Sequence, residues 1–98
     1  MKFGVPDSDF LKIINEIKNN LGKTLNPKIY IYGSRVKGSF RKFSDIDLLL
    51  IAESYDEAEL AKMNFSDLDT PYIVDFVLDK DLFEKYRDEI HSHMVELS

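Results

Sequence analysis

Apolar residues between Ser8 and Leu21 recur at steps of three and four, which is the spacing of one face of an α-helix. Asp7 or Ser8 can cap the start of this predicted helix, and Gly22 follows its last turn as a left-handed stop. The apolar stripe consists of Phe10, Ile13, Ile14, Ile17 and Leu21. The pattern therefore predicts an amphipathic first helix with one buried face.

Further along the chain, short apolar runs alternate with helical patterns. Runs rich in Ile, Tyr, Val and Leu predict strands at residues 28–32, 45–52 and 72–78. The second strand is apolar on both faces after Asp47, so we expect it in the centre of the sheet. Helical patterns occupy residues 34–39, 55–63 and 81–97, and Asp81 with Glu84 forms a candidate capping box for the last. This order predicts an α/β (α+β) fold in which helices flank a small mixed sheet of about three strands.

The composition indicates one small domain, residues 1–98. Of the 98 residues, 44% are apolar, which is too many for a disordered polymer, and the chain is too short for two domains. The longest apolar run, residues 48–52, is far below the roughly 20 residues that span a bilayer, and nothing near Met1 resembles a secretory signal. The absence of cysteine excludes disulfides, thiolate metal sites and a cysteine nucleophile. We therefore expect a cytoplasmic protein with no membrane association.

The charge is unevenly distributed along the chain. A net charge of −5 argues against direct nucleic-acid binding, which relies on many Lys and Arg contacts to phosphates. Residues 35–42 nevertheless contain four basic residues and no acid: Arg35, Lys37, Arg41 and Lys42. Such an island suits a small anion, although Lys37, Arg41 and Lys42 are equally well explained as a solvated loop.

Two aspartates open the second predicted strand. Asp45 and Asp47 are two residues apart, so a strand would place both carboxylates on one face, where they repel each other. Mg²⁺ is a cation that takes carboxylate and phosphate oxygens together. Asp75, the charged residue within the third strand, can join the pair if the two strands are neighbours. The alternative for Asp75 is a water-facing aspartate on an edge strand.

Gly33 and Ser34 follow the first strand and are candidates for binding an anion, in contrast to the aspartates, which would bind a cation. A glycine at a strand end lets the backbone turn sharply and approach a ligand closely. If a short helix begins at Ser34, its free N–H groups and the hydroxyl can hold a phosphate. The sequence thus predicts an anion site and a metal site in one chain.

The phrase from Tyr32 to Leu48 carries a family resemblance. Gly-Ser, ten intervening residues and Asp-x-Asp are similar to the signature of the DNA polymerase β-like nucleotidyltransferases, above all their minimal nucleotidyltransferase (MNT) domains. The metal ligands and catalytic residues that the resemblance implies are Asp45, Asp47 and Asp75, the last as third ligand or as the base that accepts a hydroxyl proton. The implied nucleotide contacts are Gly33, Ser34, Arg35 and Ser44.

The resemblance also implies an activity and a partner. It implies a Mg²⁺-dependent nucleotidyltransferase, with one or two ions, that transfers a nucleoside monophosphate, most simply AMP from ATP, to a hydroxyl. Many MNT domains are antitoxins of HEPN-domain toxins, and some modify a tyrosine of the toxin. Only the segment from Asp81 onward follows the predicted third strand, so a partner chain, or a second copy in a homodimer, would complete the acceptor site. The alternatives are an antitoxin that acts by binding alone, and a nucleotidyltransferase for small molecules.

Overall fold

A computed structural model describes residues 1–21, 27–54 and 57–97 of the chain. The helices are α1 (Asp7–Leu21), α2 (Ser34–Lys37), α3 (Glu57–Lys62) and α4 (Glu84–His93). The strands are β1 (Lys28–Tyr32), β2 (Ile46–Ile51), β3 (Val74–Leu78) and β4 (Val95–Glu96), and a 3₁₀ turn follows β3 at Asp79–Asp81. Helices and strands alternate along the chain, which confirms the predicted fold class.

The four strands form one mixed sheet in the order β3-β2-β1-β4. The strands β2 and β3 run parallel, with Ile46 opposite Val74. The strand β1 is antiparallel to both of its neighbours, β2 and β4. The predicted central position of β2 and its neighbourhood with β3 are therefore confirmed.

The hydrophobic core lies between α1 and one face of the sheet. Alternate residues of β1 and β2 point to this face, because strand side chains alternate. The buried cluster includes the helix residues Phe10, Ile13, Ile17 and Leu21 and the strand residues Ile29, Ile31, Ile46, Leu48, Leu50 and Leu78. Leu49 points to the other face and is also fully buried, which explains why β2 is apolar on both sides.

The predicted helix over residues 81–97 is wrong at both ends. The helix α4 begins after Phe83, which caps it without a side-chain hydrogen bond, so the candidate capping box does not form. Its end is set by Met94, whose backbone is extended (φ −62°, ψ 150°). Val95 then pairs with Ile31 as an edge strand, because a β-branched residue fits a sheet better than a helix end. The sheet consequently has four strands rather than about three.

The remaining predicted boundaries agree within a few residues. The strand β1 has the predicted bounds, while β2 and β3 begin one and two residues later than predicted. The helix stop at Gly22 and the predicted helix start at Tyr55 lie outside the described residues. Within the described ranges, no helix combines the length and apolar character that crossing a bilayer requires.

Candidate active site

A row of polar side chains crosses the sheet at the end of β1. Tyr32 in β1 lies opposite Asp47 in β2, and Asp47 lies opposite Asp75 in β3. Residues directly opposite each other on neighbouring strands point to the same face. The register therefore brings Asp47 and Asp75 to one face, as the sequence predicted for neighbouring strands. Asp45 immediately precedes β2, two residues before Asp47, and is exposed.

The electrostatic environment of Asp47 is unfavourable for a negative charge. Asp47 is half-buried, and this burial, followed by the charges of Asp75 and Asp45, raises the pKa of its carboxyl above the usual value. Arg35 opposes the shift to a smaller degree. A carboxylate held beside two others is a site where a further cation is favourable. The prediction that this group calls for a compensating cation thus has a physical basis in the fold.

Tyr32 shares the environment of the aspartates. Burial is the main cause that raises the pKa of its phenol, and the charges of Asp47 and Asp75 add to it. A phenol in this position stays protonated at neutral pH, so its hydroxyl is a neutral hydrogen-bond donor at the edge of the row.

The turn at Gly33 approaches Asp47 closely. Gly33 has φ 83° and ψ −150°, a conformation that essentially only glycine adopts. A Cβ atom at this position would lie 2.9 Å from Oδ2 of Asp47, which is too close for a side chain. The sequence therefore needs glycine here for two reasons, the backbone conformation and the space beside the carboxylate.

Ser34 is the first residue of α2, directly after this turn. The carbonyl of Gly33 accepts the N–H groups of Val36 (3.2 Å) and Lys37 (3.1 Å). The N–H groups of Ser34 and Arg35 precede them in the first turn, where a helix offers no intrahelical acceptor. The short helix predicted after Gly33 is confirmed, and it presents these amide groups beside Asp47.

Arg35 is held by backbone carbonyls. The residue is 2% exposed, and its guanidinium donates from Nη1 to the carbonyl of Phe3 (2.8 Å) and from Nη2 to those of Lys42 (3.2 Å) and Ser44 (2.7 Å). Its Nε donates to Ser44 as well (3.2 Å). These bonds fix the segment that leads into Asp45. The direct contact of Arg35 with a nucleotide stays a prediction, and the observed contacts give Arg35 a supporting role.

Two aromatic rings complete the surroundings of this guanidinium. The ring centroid of Phe40 lies 4.9 Å from Cζ of Arg35, and that of Tyr72 lies 5.1 Å from it. Burial lowers the pKa of Arg35, and the charges of Tyr72, Asp45 and Asp47 oppose the change. Arginine is suited to such a site because its planar group stacks on rings while its edge donates hydrogen bonds.

Ser44 closes the loop before the aspartates. Its hydroxyl accepts the N–H of Arg41 (2.8 Å), and its own N–H donates to the carbonyl of Arg41 (3.1 Å). The predicted nucleotide contact of Ser44 stays a prediction. Of the other basic residues of the island, Lys37 pairs with Glu89 at 2.7 Å.

The donor set suits a hard cation, but the side chains do not form a closed cage. Among residues 1–21, 27–54 and 57–97, no three acidic or imidazole side chains are grouped closely enough to enclose a metal ion. Asp45 and Asp75 are exposed and can change rotamer. Mg²⁺ is commonly held by one or two carboxylates together with substrate phosphates and water. The carboxylates therefore fit a metal that arrives with its nucleotide.

One residue beside the turn was not singled out as a site residue by the sequence. His93, at the end of α4, accepts the N–H of Gly33 at Nε2 (2.9 Å). In one helix over residues 81–97, as the sequence pattern predicts, His93 would have no defined neighbour on β1. A signal was present in Val95, a β-branched residue that could have indicated a strand returning to β1.

The fold and this site together define a class of protein. The chain belongs to the nucleotidyltransferase domain family, whose model matches residues 11–97. It is similar to the probable protein adenylyltransferase MntA of Haemophilus influenzae, with 38% identity over 52 residues, or 50% of this chain and 46% of that protein. The chain thus spans about half the length of this curated relative.

Two solved structures share the fold. A chain of a toxin–antitoxin crystal structure with AMP-PNP has a TM-score of 0.67 and 29% identity, covering 90% of this chain and 71% of that one. A provisionally assigned nucleotidyltransferase from Sulfolobus solfataricus has a TM-score of 0.52 and 19% identity, covering 98% and 86% of the two chains. The second likeness supports the fold alone, whereas the first also agrees with the MNT resemblance.

Proposed function

We propose that this chain transfers a nucleoside monophosphate from a nucleoside triphosphate, in the first instance AMP from ATP, to a hydroxyl group of a partner protein. The observation that carries the proposal is the single row in which Asp47 faces Asp75 while the turn at Gly33 lies directly against Asp47. Both poles that phosphoryl-type transfer needs, amide donors for the phosphates and carboxylates for a metal, are thereby adjacent.

The triphosphate would bind at the turn. The hydroxyl of Ser34 and the first amides of α2 supply donors, and Ser44 lies in the loop that precedes Asp45. Arg35 contributes by holding this loop through its bonds to the carbonyls of Lys42 and Ser44. Rigid donors matter in such a reaction, because the protein contributes mainly position and charge.

Asp45 and Asp47 would hold Mg²⁺, with Asp75 as a third ligand. When bound, the ion neutralises the charge on the phosphate oxygens and the leaving group. The raised pKa of Asp47 agrees with this assignment: burial is its main cause, and the repulsion by Asp75 and Asp45 that adds to it would be relieved by a divalent cation. Two of the four basic residues of the island add little direct neutralisation, since Arg35 is engaged by carbonyls and Lys37 by Glu89.

The transfer itself needs no covalent enzyme intermediate. The acceptor oxygen bonds to the α-phosphorus, the bond from the α-phosphorus to its bridging oxygen breaks, and pyrophosphate leaves. The hydroxyl proton requires a base, and Asp75 is the exposed carboxylate of the row that is free to serve if it does not bind the metal.

The proposed acceptor is a tyrosine hydroxyl of a HEPN-domain toxin, which makes this chain the antitoxin. The relative MntA is described as a protein adenylyltransferase, and the structural relative is a toxin–antitoxin with AMP-PNP. Phe83 and Tyr86 near the start of α4 are 76% and 56% exposed, and their tilted rings have centroids 6.5 Å apart, which offers a surface for such a partner. A protein partner can itself supply the acceptor surface.

Co-expression with the proposed HEPN-domain toxin followed by intact-mass measurement tests the proposal. The expected result is a mass increase of the toxin by one or more AMP units, located on tyrosine by fragmentation. The double variant Asp45→Asn/Asp47→Asn should abolish the increase, because it removes two carboxylates from the site.

A matched control removes charge elsewhere. Asp88→Asn with Asp81→Asn changes the net charge equally at two exposed positions outside the row, and should leave the modification intact. Modification that persists in the double aspartate variant of the site would contradict the assignment of the carboxylates. An unmodified toxin with the unaltered chain present would contradict the transfer reaction.

Neutralisation by binding alone is the second candidate, and the exposed pair Phe83 and Tyr86 favours it as well. In that case Asp45→Asn/Asp47→Asn would still bind and neutralise the toxin, whereas Phe83→Ser/Tyr86→Ser would not. The two sets of variants therefore separate catalysis from binding.

A further inference from the structure

We infer that His93 is a positioning residue for the nucleotide-binding turn: its imidazole holds the peptide group between Tyr32 and Gly33 in the orientation that triphosphate binding requires. The inference rests on the proposed function for the identity of the ligand. The contact itself joins residues 60 positions apart, so it ties the last helix of the chain to the turn.

Both nitrogens of the imidazole are used. Nε2 accepts the N–H of Gly33 at 2.9 Å, and Nδ1 lies 2.9 Å from the carbonyl oxygen of Glu89 in the preceding turn of α4. An acceptor at Nε2 and a donor at Nδ1 define the neutral tautomer with its proton on Nδ1. The ring is thus fixed from the helix side and offers one lone pair to Gly33.

The position of His93 follows from the sheet register. Tyr30 pairs with Glu96 and Ile31 with Val95 in an antiparallel ladder. Each residue further along β1 therefore lies opposite the preceding residue of the chain segment around β4. Continuing the pairing by two residues places Gly33 opposite His93. The N–H of Leu97 donates to the carbonyl of Ile29 at 2.7 Å, which extends the same ladder in the other direction. The end of α4 is therefore anchored along β1 up to the turn.

A second contact joins α4 to the segment that begins at Gly33. Nζ of Lys37, the last residue of α2, lies 2.7 Å from Oε1 of Glu89 in α4. Glu89 and His93 are one helical turn apart, so they contact the two ends of the Gly33–Lys37 segment from one side of α4. The ion pair is exposed and screened by solvent, so we assign the positioning role to the half-buried His93.

Loss of the His93 contact would affect Gly33 and the amides that follow it. The carbonyl of Gly33 accepts the N–H groups of Val36 and Lys37, and its N–H donates to His93, so both backbone polar groups of Gly33 are satisfied within the protein. Losing the His93 acceptor frees the preceding peptide plane to rotate, because glycine has many accessible conformations. The φ angle of Gly33, which sets how α2 and its first amides are oriented relative to β1 and Asp47, would then be less restrained.

A direct test measures the hydrogen bond without nucleotide. In uniformly ¹⁵N-labelled protein, a coupling across the bond between the Gly33 amide nitrogen and Nε2 of His93 should be observable by NMR. His93→Leu should accelerate amide exchange at Gly33 by about tenfold, whereas His93→Gln, whose Oε1 can occupy the position of Nε2, should keep it near the parent value.

Nucleotide binding is then measured by calorimetry with MgATP on the same three proteins. His93→Leu should weaken binding by roughly three- to tenfold, the equivalent of one hydrogen bond, and His93→Gln should restore most of it. His91→Gln is the matched control, because His91 contacts Asp79 (2.5 Å) in the 3₁₀ turn beyond the end of β3, and it should leave MgATP binding unchanged.

The outcomes separate the two proposals. If the parent chain binds no MgATP, the proposed function fails, and the coupling and exchange data still decide whether His93 holds the turn. If the coupling is absent in the parent chain, or if His93→Leu binds MgATP as tightly as His93→Gln, the positioning role is overturned.

Discussion

Replacing Asp47 with asparagine removes the negative charge that lies between those of Asp45 and Asp75, and keeps the shape of the side chain. Asp47 faces Asp75 across the parallel strands, follows Asp45 by two residues and is half-buried, so its charge is repelled by two neighbours while partly desolvated. We expect Asp47→Asn to stabilise the metal-free protein, although it should abolish metal-dependent transfer.

The magnitude follows from the environment. A like charge directly opposite on a neighbouring strand destabilises the fold by about 0.2–1 kcal/mol. Solvent screening and the positive charge of Arg35 reduce the total repulsion that Asp75 and Asp45 exert on Asp47. The net gain for Asp47→Asn should be about 0.5–1 kcal/mol. For a domain of this size, that gain corresponds to an increase in Tm of about 2–8 °C.

The pH dependence has a defined sign. Because the pKa of Asp47 is raised in the folded state, the fold binds this proton more tightly than the unfolded chain, and stability falls as pH rises through the interval between the two pKa values. The advantage of Asp47→Asn should therefore be absent near pH 3, below the usual pKa of aspartate, and grow as the pH rises through the interval between the two pKa values.

Thermal unfolding followed by circular dichroism is the assay, in EDTA and in MgCl₂ at low ionic strength. Magnesium should raise the Tm of the parent chain and have a much smaller effect on Asp47→Asn, because a ligand that binds the folded state stabilises it. Asp88→Asn controls for net charge. A lower Tm for Asp47→Asn in EDTA, or an equal response of both proteins to Mg²⁺, would refute the reasoning.

Two glycine variants and one arginine variant test the turn and its support. Gly33→Ala should lower the free energy of unfolding in urea by about 2–3 kcal/mol and abolish MgATP binding, because the new Cβ would lie 2.9 Å from Asp47. Gly38→Ala should lower the free energy of unfolding by only about 1 kcal/mol, because the space around its Cβ is open. Equal costs for the two variants would contradict this. Arg35→Lys should cost about 2–4 kcal/mol, because one ammonium cannot replace four bonds to carbonyls. A loss below 1 kcal/mol would show that these bonds contribute little.

The strands around the site were predictable because their patterns are local. The apolar run after Asp47 has no polar face, which identifies β2 as central, and Gly33 marks the end of β1. The parallel pairing of β2 with β3, together with residue alternation, then places Asp75 beside Asp47. Asp75 is at once a water-facing residue on an edge strand of the described sheet and a member of the row, so the two readings of its sequence position are compatible.

The parts that were not predictable depend on distant contacts. A basic residue beside a phosphate turn suggests an anion contact, but Arg35 is buried by Phe3, Lys42 and Ser44, whose approach no spacing in the sequence reveals. The last helix was predicted too long because its apolar stripe continues through Met94. The pairing of Val95 with β1 overrides that local pattern, and with it comes the contact of His93 to Gly33.

Anomalous diffraction from crystals grown with MnCl₂ and a non-hydrolysable ATP analogue tests the central claim most directly. The account predicts a manganese peak within coordination distance of the carboxylates of Asp45 and Asp47, bridged to the phosphates, with the γ-phosphate at the amides that follow Gly33. A nucleotide bound with its phosphates away from this turn, or a manganese peak that contacts neither aspartate, would contradict the account.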